Sequence, residues 1–399
     1  MQTYDFDHCP PRRGTNCVKW DDRPAVPDSV NGCPAAGAAT DVIPLWVADM
    51  DFTVAPAIEE AVRRRAEHPV YGYATVGEAY YDAVIDWFRR RHQWSISRED
   101  MLYTTGVVPA MSCCLQALTM PGDQVLILTP VYNCFFSSIR NSGCVVADCA
   151  LTYNDSADGH PYYTVDWELF EQRCADDKCS VFLLCNPHNP AGRVWTADEL
   201  RRMSDICRRH HVLIVSDEIH CELTLPGISY TPMMTIDAEA IALTSASKSF
   251  NIAGLQMACI VSSNADVRRR IDRAININEV CDVNPFAPLA QAAAYNDSEE
   301  WLDALREYIA GNYRLLCQFF ADTLPQLRVT RLEGTYLAWV DISALGLTSD
   351  EVALRLLTEG GVRVSPGSMY GDDRFIRINM ACPRSQLQEG LKRIATLRS

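Results

Sequence analysis

No C-x-x-C pair occurs among the 17 cysteines, and Cys113-Cys114 is the only adjacent couple. Zinc and metal-cluster spacing is therefore absent, and the thiols read as small buried hydrophobes kept reduced. Long apolar runs are missing too: stretches such as Val125–Leu128 are strand-sized, against the ~20 residues that cross a bilayer. The opening MQTYDFDHCPPRR has no basic start followed by an apolar run, so it does not read as a secretory signal, and a cytoplasmic protein that avoids membranes is expected. Positive charge is in deficit, with a formal net charge of -15. Such a surface repels phosphate backbones and argues against nucleic acid as a partner. The triplets Arg63–Arg65 and Arg89–Arg91 sit in helix-like segments and read as solvated faces. Lysine is scarcest of all: only Lys19, Lys178, Lys248 and Lys392 occur.

What is present is 399 residues at 48% hydrophobic composition, ample for a large core and two domains. From about Ala55, helical patterns alternate with short β-branched runs, the mark of α/β layering. Val125–Leu128 leads into Thr129-Pro130, Val181–Leu184 into Cys185-Asn186-Pro187, Val212–Val215 into Ser216-Asp217-Glu218, and Ala240–Leu243 into Thr244-Ser245. Runs without polar alternation predict strands buried on both faces of a mostly parallel sheet with helices on each side, which binds ligands beyond its strand carboxyl ends. That crevice collects Tyr132, Asn186, Asp217 and Lys248. After Pro285 a helical stretch from Trp301 to about Leu324 and alternating segments at Tyr336–Val340 and Phe375–Asn379 predict a smaller α+β domain. Residues 46–285 are thus expected to form the large domain. Residues 1–45 and 286–399 are expected to form the small one, with the Pro/Gly-rich stretch Pro24 to Ala38 as an extended N-terminal arm.

Lys248 stands in TSASKSFNIAG, a small polar setting just past a strand. An aldehyde cofactor such as pyridoxal 5'-phosphate (PLP) needs such a lysine for a Schiff base, and Ser245 and Ser247 lie close enough to hydrogen-bond its phosphate. S-x-K alone equally describes a loop lysine. Asp217 offers a carboxylate to a protonated pyridine nitrogen, or it caps a helix. Asn186, in CNPHNPAGRVW, offers an amide to the phenolic oxygen, in a turn that its prolines and glycine would form in any case. Gly106 precedes a helix whose first amides, Val107 and Val108, can cradle phosphate. Tyr132 in PVYNCF stacks on the cofactor or fills the core. Arg377 alternates with apolar neighbours in FIRINMACP and suits a bidentate grip on a substrate carboxylate, or a surface salt bridge.

Together, NPHNPAGRVW, SDEIHCEL, SKSFNIAGLQ and FIRINMACP resemble fold type I, aminotransferase class I/II-like PLP enzymes over nearly the whole chain. PLWVADMDF at Pro44–Phe52, YGY at Tyr71–Tyr73 and DEIH at Asp217–His220 most resemble the MalY/PatB-type cystathionine beta-lyases. The resemblance implies Lys248 as the Schiff-base lysine, Asp217 as the pyridine-nitrogen partner, Asn186 as the phenolic-oxygen donor, Tyr132 as the stacking ring and Arg377 as the carboxylate clamp. It also implies a homodimer with shared active sites, in which Tyr71 reaches the neighbouring cofactor phosphate. Gln256 stands where aminotransferases commonly carry an arginine, and His220 where they carry a tyrosine, which favours the lyase branch. Whether His220 donates to the phenolic oxygen or only packs stays open. The expected reaction is β-elimination from a sulfur amino acid: Lys248 removes the α-proton, a thiolate leaves, and pyruvate, ammonia and a thiol result. An aminotransferase on the same scaffold is the alternative. A regulatory protein retaining the fold is the second, and no helix-turn-helix domain precedes it to bind DNA.

Overall fold

The computed structural model describes residues 4–22, 29–30, 33–34 and 41–398. The Pro24 to Ala38 arm lies outside them, save for the short pairing of Ser29–Val30 with Cys33–Pro34.

Seven strands build the larger sheet: β1 (Met101–Thr104), β2 (Gln124–Ile127), β3 (Val145–Asp148), β4 (Cys179–Cys185), β5 (Leu213–Asp217), β6 (Ile241–Thr244) and β7 (Ala258–Val261), in spatial order β1-β7-β6-β5-β4-β2-β3. Strands β3, β2, β4, β5 and β6 pair in parallel, and β7 runs against both its neighbours. Successive side chains of a strand point to opposite faces. Here both faces are apolar: Val125, Ile127, Val181 and Leu183 enter one core cluster, and Leu126, Leu128, Phe182 and Leu184 another. That two-sided burial is why these strands show no polar alternation.

Helices cover both faces. Helices α1 (Pro56–Ala66) and α2 (Glu78–His92) precede the sheet. Helix α3 (Val107–Leu118) and α4 (Asn133–Asn141) pack into one cluster, and α5 (Ala197–Arg209), opened by a Thr196–Glu199 capping box, into the other. Helix α6 (Glu299–Thr323) belongs to both regions, since Trp301, Leu302 and Leu305 join the cluster around α2 whereas Leu316 and Phe320 join that of the smaller sheet. That sheet is antiparallel, ordered β8-β9-β11-β10 from β8 (Arg328–Val329), β9 (Leu337–Asp341), β10 (Ser365–Pro366) and β11 (Phe375–Asn379).

The arginine triplets behave differently from each other. Arg63 and Arg64 pair with Glu60 on an exposed helix face. Arg91, expected on a solvated face, is instead largely covered and reaches buried Glu222 at 3.2 Å as well as Glu299 and Asp303. Lys19 is also fully buried, 2.8 Å from equally buried Asp51, with Arg12 bridging Asp49 and Asp51. Residues 4–22 are thereby clamped to the segment that follows Pro44.

Among the described residues no helix is long and apolar enough to cross a membrane, and no group of three or more His, Cys, Asp or Glu is disposed to hold a metal.

Candidate active site

A cavity of about 190 Å³ opens where β4, β5 and β6 end. Its wall includes Lys248, Asp217, His220, Tyr132, Ser247, Val107 and Val108, seven of the residues expected from the sequence. The turn after β6 delivers Lys248: Ser245 Oγ donates to Met257 O (2.7 Å) and accepts from Ser247 N (3.1 Å), while Ala246 N donates to Gln291 Oε1 (3.3 Å). Lys248 Nζ donates to Ala48 O at 2.7 Å. Burial and then the positive charge of Arg377 hold this amine below the ordinary lysine range, so its neutral, nucleophilic form is accessible.

Asp217 closes β5. Burial pushes its carboxyl up to about 7, opposed by the Ile219 N–H at 3.1 Å and by the charge of Lys248. Three residues on, burial and then the charges of Lys248 and Arg377 push His220 down to about 3, and its Nδ1 has no partner. Burial raises the Tyr132 phenol, whose neighbour is Cys134. Arg377 crosses from the smaller sheet almost fully buried, donating Nη1 to Asn189 Oδ1 (3.1 Å) and Nη2 to Trp46 O (3.0 Å) over the ring of Tyr370, with Nε unpartnered.

Four expected residues lie off the cavity wall: Arg377, which adjoins it through Asn189, and Asn186, Ser245 and Tyr71. Asn186 opens the turn after β4 without lining the cavity, its Nδ2 donating to Thr231 O at 3.1 Å and its Oδ1 unpartnered. The chain reverses through Pro187 and His188, and it is Asn189 that reaches the cavity and touches Arg377. Ser245 is also off the wall, because its hydroxyl proton is already given to Met257 O; it shapes the turn instead. Tyr71 is exposed, its hydroxyl on Ala66 O and its ring near Phe286, away from the cavity of its own chain.

Sequence reasoning missed Asn189, Ala48 and Thr105. Two of them lay in noted motifs, Asn189 as the second Asn-Pro of CNPHNP and Ala48 within PLWVADMDF. Gln256, singled out as a departure, lines the cavity with its backbone in the left-handed region (φ 58°).

The cavity holds an amine and a carboxyl that both resist charging, a neutral imidazole with a free nitrogen, and, in Val107 and Val108, the first turn of α3, whose N–H groups have no intrahelical partner. Such donors fit a compact aromatic aldehyde bearing a basic ring nitrogen and a phosphate, as PLP does.

Residues 40–394 match the family described as aminotransferase class I and II. The chain is 37% identical to cystathionine beta-lyase PatB of Bacillus subtilis (strain 168), over 98% of each protein. It is 33% identical to protein MalY of Escherichia coli (strain K12), over 97% of each. Among solved structures, cystalysin from Treponema denticola, which contains a pyridoxal 5'-phosphate cofactor, superposes with a TM-score of 0.92 at 34% identity, covering 100% of this chain and 99% of that one.

Proposed function

The chain belongs to the aminotransferase class I and II family, and from that premise we propose that it is a PLP-dependent carbon–sulfur β-lyase that cleaves cystathionine or a related sulfur amino acid. The observation that carries the reading is the pairing of Lys248 and Asp217 on one cavity wall, in a chain alike over nearly its whole length to a cystathionine beta-lyase.

When bound, PLP draws electron density from the α-carbon of an attached amino acid and so acidifies its C–H bond. Lys248 would hold the cofactor aldehyde. Asp217 would face the ring nitrogen, where a positive partner would supply the charge that its buried carboxylate lacks. Val107 and Val108, with the Ser247 hydroxyl, would receive the phosphate at the start of α3, and Tyr132 would lie against the ring. Asn189, with Oδ1 engaged by Arg377, keeps its Nδ2 for the phenolic oxygen in place of Asn186. His220, neutral by burial, has a nitrogen for the same region.

Arg377 binds and orients the substrate carboxylate with its planar fork, which aims the α-hydrogen at Lys248. The amine removes that proton, and the bond between the β-carbon and sulfur breaks with its electron pair on sulfur. The sulfur departs as a thiol once protonated, and the three-carbon remainder takes up water to give pyruvate and ammonia. A placed base is worth roughly 10² to 10⁴-fold in rate.

The same reading makes the protein a cytoplasmic homodimer in which exposed Tyr71 serves the partner's site. It also divides the chain into a large domain, residues 46–285, and a small one, residues 1–45 with 286–399.

The test is keto-acid dependence. Purified protein loaded with PLP should turn over sulfur amino acids at full rate with none added. Turnover that requires a keto acid would make it an aminotransferase instead.

A further inference from the structure

Lys248 and Tyr336 share one acceptor. The Ala48 carbonyl oxygen takes Lys248 Nζ at 2.7 Å and the Tyr336 hydroxyl at 2.9 Å, filling both its lone pairs. Ala48 lies in a stretch that is neither helix nor strand, so its neighbours' carbonyls are also held by side chains. Trp46 O accepts from Arg377 Nη2 and from Ser365 Oγ (3.2 Å). Asp49 O accepts from Asn379 Nδ2 (2.7 Å), and Met50 O from Arg12 Nη1 and Asn251 Nδ2, both at 3.0 Å. Ala48 O is therefore a fixed point, tied on either side, whereas Lys248 is a flexible four-carbon arm.

We propose that the Ala48 carbonyl is the seat on which the Lys248 amine rests whenever it is free, and that Tyr336 is the positioning residue that sets how tightly this seat holds a proton. The inference rests on the role of Lys248 given above. An amine that donates one N–H to Ala48 O has its nitrogen fixed and its lone pair turned away from that oxygen. Once protonated, it would bind the carbonyl more strongly and give its proton up less readily. By donating to the same oxygen, Tyr336 withdraws electron density from it and weakens that hold. Tyr336 is completely buried, with its ring edge-on to His220, and burial keeps its phenol protonated and thus a donor. The other groups that bear on Lys248 are Arg377, Asp49, Asp217, Cys134 and His220, and the Tyr336 hydroxyl, which donates to Ala48 O, is hydrogen-bonded to none of them.

The test is Tyr336→Phe, which keeps the ring and removes only the donor, read by the rate at which cofactor-free protein takes up PLP. Uptake needs the neutral amine, so the rate falls on the acid side. The variant should move that acid limb up by about half to one pH unit, the worth of one hydrogen bond to a carbonyl. Fluorotyrosine placed at position 336, a stronger donor, should move it down, which keeps the test decisive if the phenylalanine protein fails to fold. An unmoved limb, or shifts of the same sign in both proteins, overturns the proposal. Pyruvate release is measured separately. Opposite shifts without pyruvate would leave the seat standing and remove the lyase reading, and pyruvate with an unmoved limb would do the reverse.

Discussion

Asp217, the last residue of β5, and His220, three residues on, line one cavity and are both driven by burial toward their uncharged forms, to about 7 and about 3 respectively. Their effects on stability oppose each other. Between its ordinary 3.8 and about 7, folded Asp217 keeps a proton that the unfolded chain has lost, so its contribution falls as pH rises through that window. Between 6.5 and about 3, unfolded His220 gains a proton that the folded form refuses, so its contribution falls as pH drops.

Asp217→Asn removes the first effect. In cofactor-free protein the variant should gain on the wild type as pH is raised from 4 to 7, by up to about 4 kcal/mol, with no further gain above. Denaturant unfolding at several pH values measures this. The same variant should lose activity sharply, because a neutral amide offers no charge to a ring nitrogen.

Asn189→Ala and Asn186→Ala separate two neighbours that look alike in sequence. Loss of Asn189 removes a bond to the Arg377 guanidinium and should lower kcat/KM roughly tenfold or more. Loss of Asn186 removes only the bond to Thr231 O. It should cost about 1 kcal/mol of stability while leaving turnover near the wild-type rate. Steady-state kinetics beside thermal melts decide between them, and the reverse pattern would restore Asn186 to the site.

Arg377→Lys keeps the charge but loses the fork that reaches Asn189 and Trp46 together. KM for the amino acid should rise roughly 10- to 100-fold, the worth of a bond to a charged group, with a smaller change in kcat.

Lys19→Met strands the buried Asp51 carboxylate, leaving it Arg12, Trp20 and Gln386. Breaking a buried pair typically costs about 3–5 kcal/mol, so the melting temperature should fall by several degrees. Neutralising Asp51 in the same protein should recover part of the loss.

The strand ends were legible because two-sided burial writes an uninterrupted apolar run, and the residues just after each run, Tyr132, Asp217 and Lys248, reach the cavity. CNPHNP was not legible in the same way. It offers two Asn-Pro pairs, and only the path of the turn decides which amide faces inward. Nothing in VKWDD marks Lys19 as buried, since its partner Asp51 is brought against it only by the fold. The seat at Ala48 is assembled from residues 48, 248 and 336, which no local pattern links. The role proposed for Tyr71 would belong to a second copy of the chain, which no pattern within one copy records.

The most direct test is to mix PLP-loaded protein with L-cystathionine, with no keto acid present, and follow pyruvate and free thiol in one tube. Both should appear together in equal amounts, and Lys248→Ala should release neither. Turnover without thiol release, or pyruvate from the Lys248→Ala protein at the wild-type rate, would contradict a carbon–sulfur β-lyase built on Lys248.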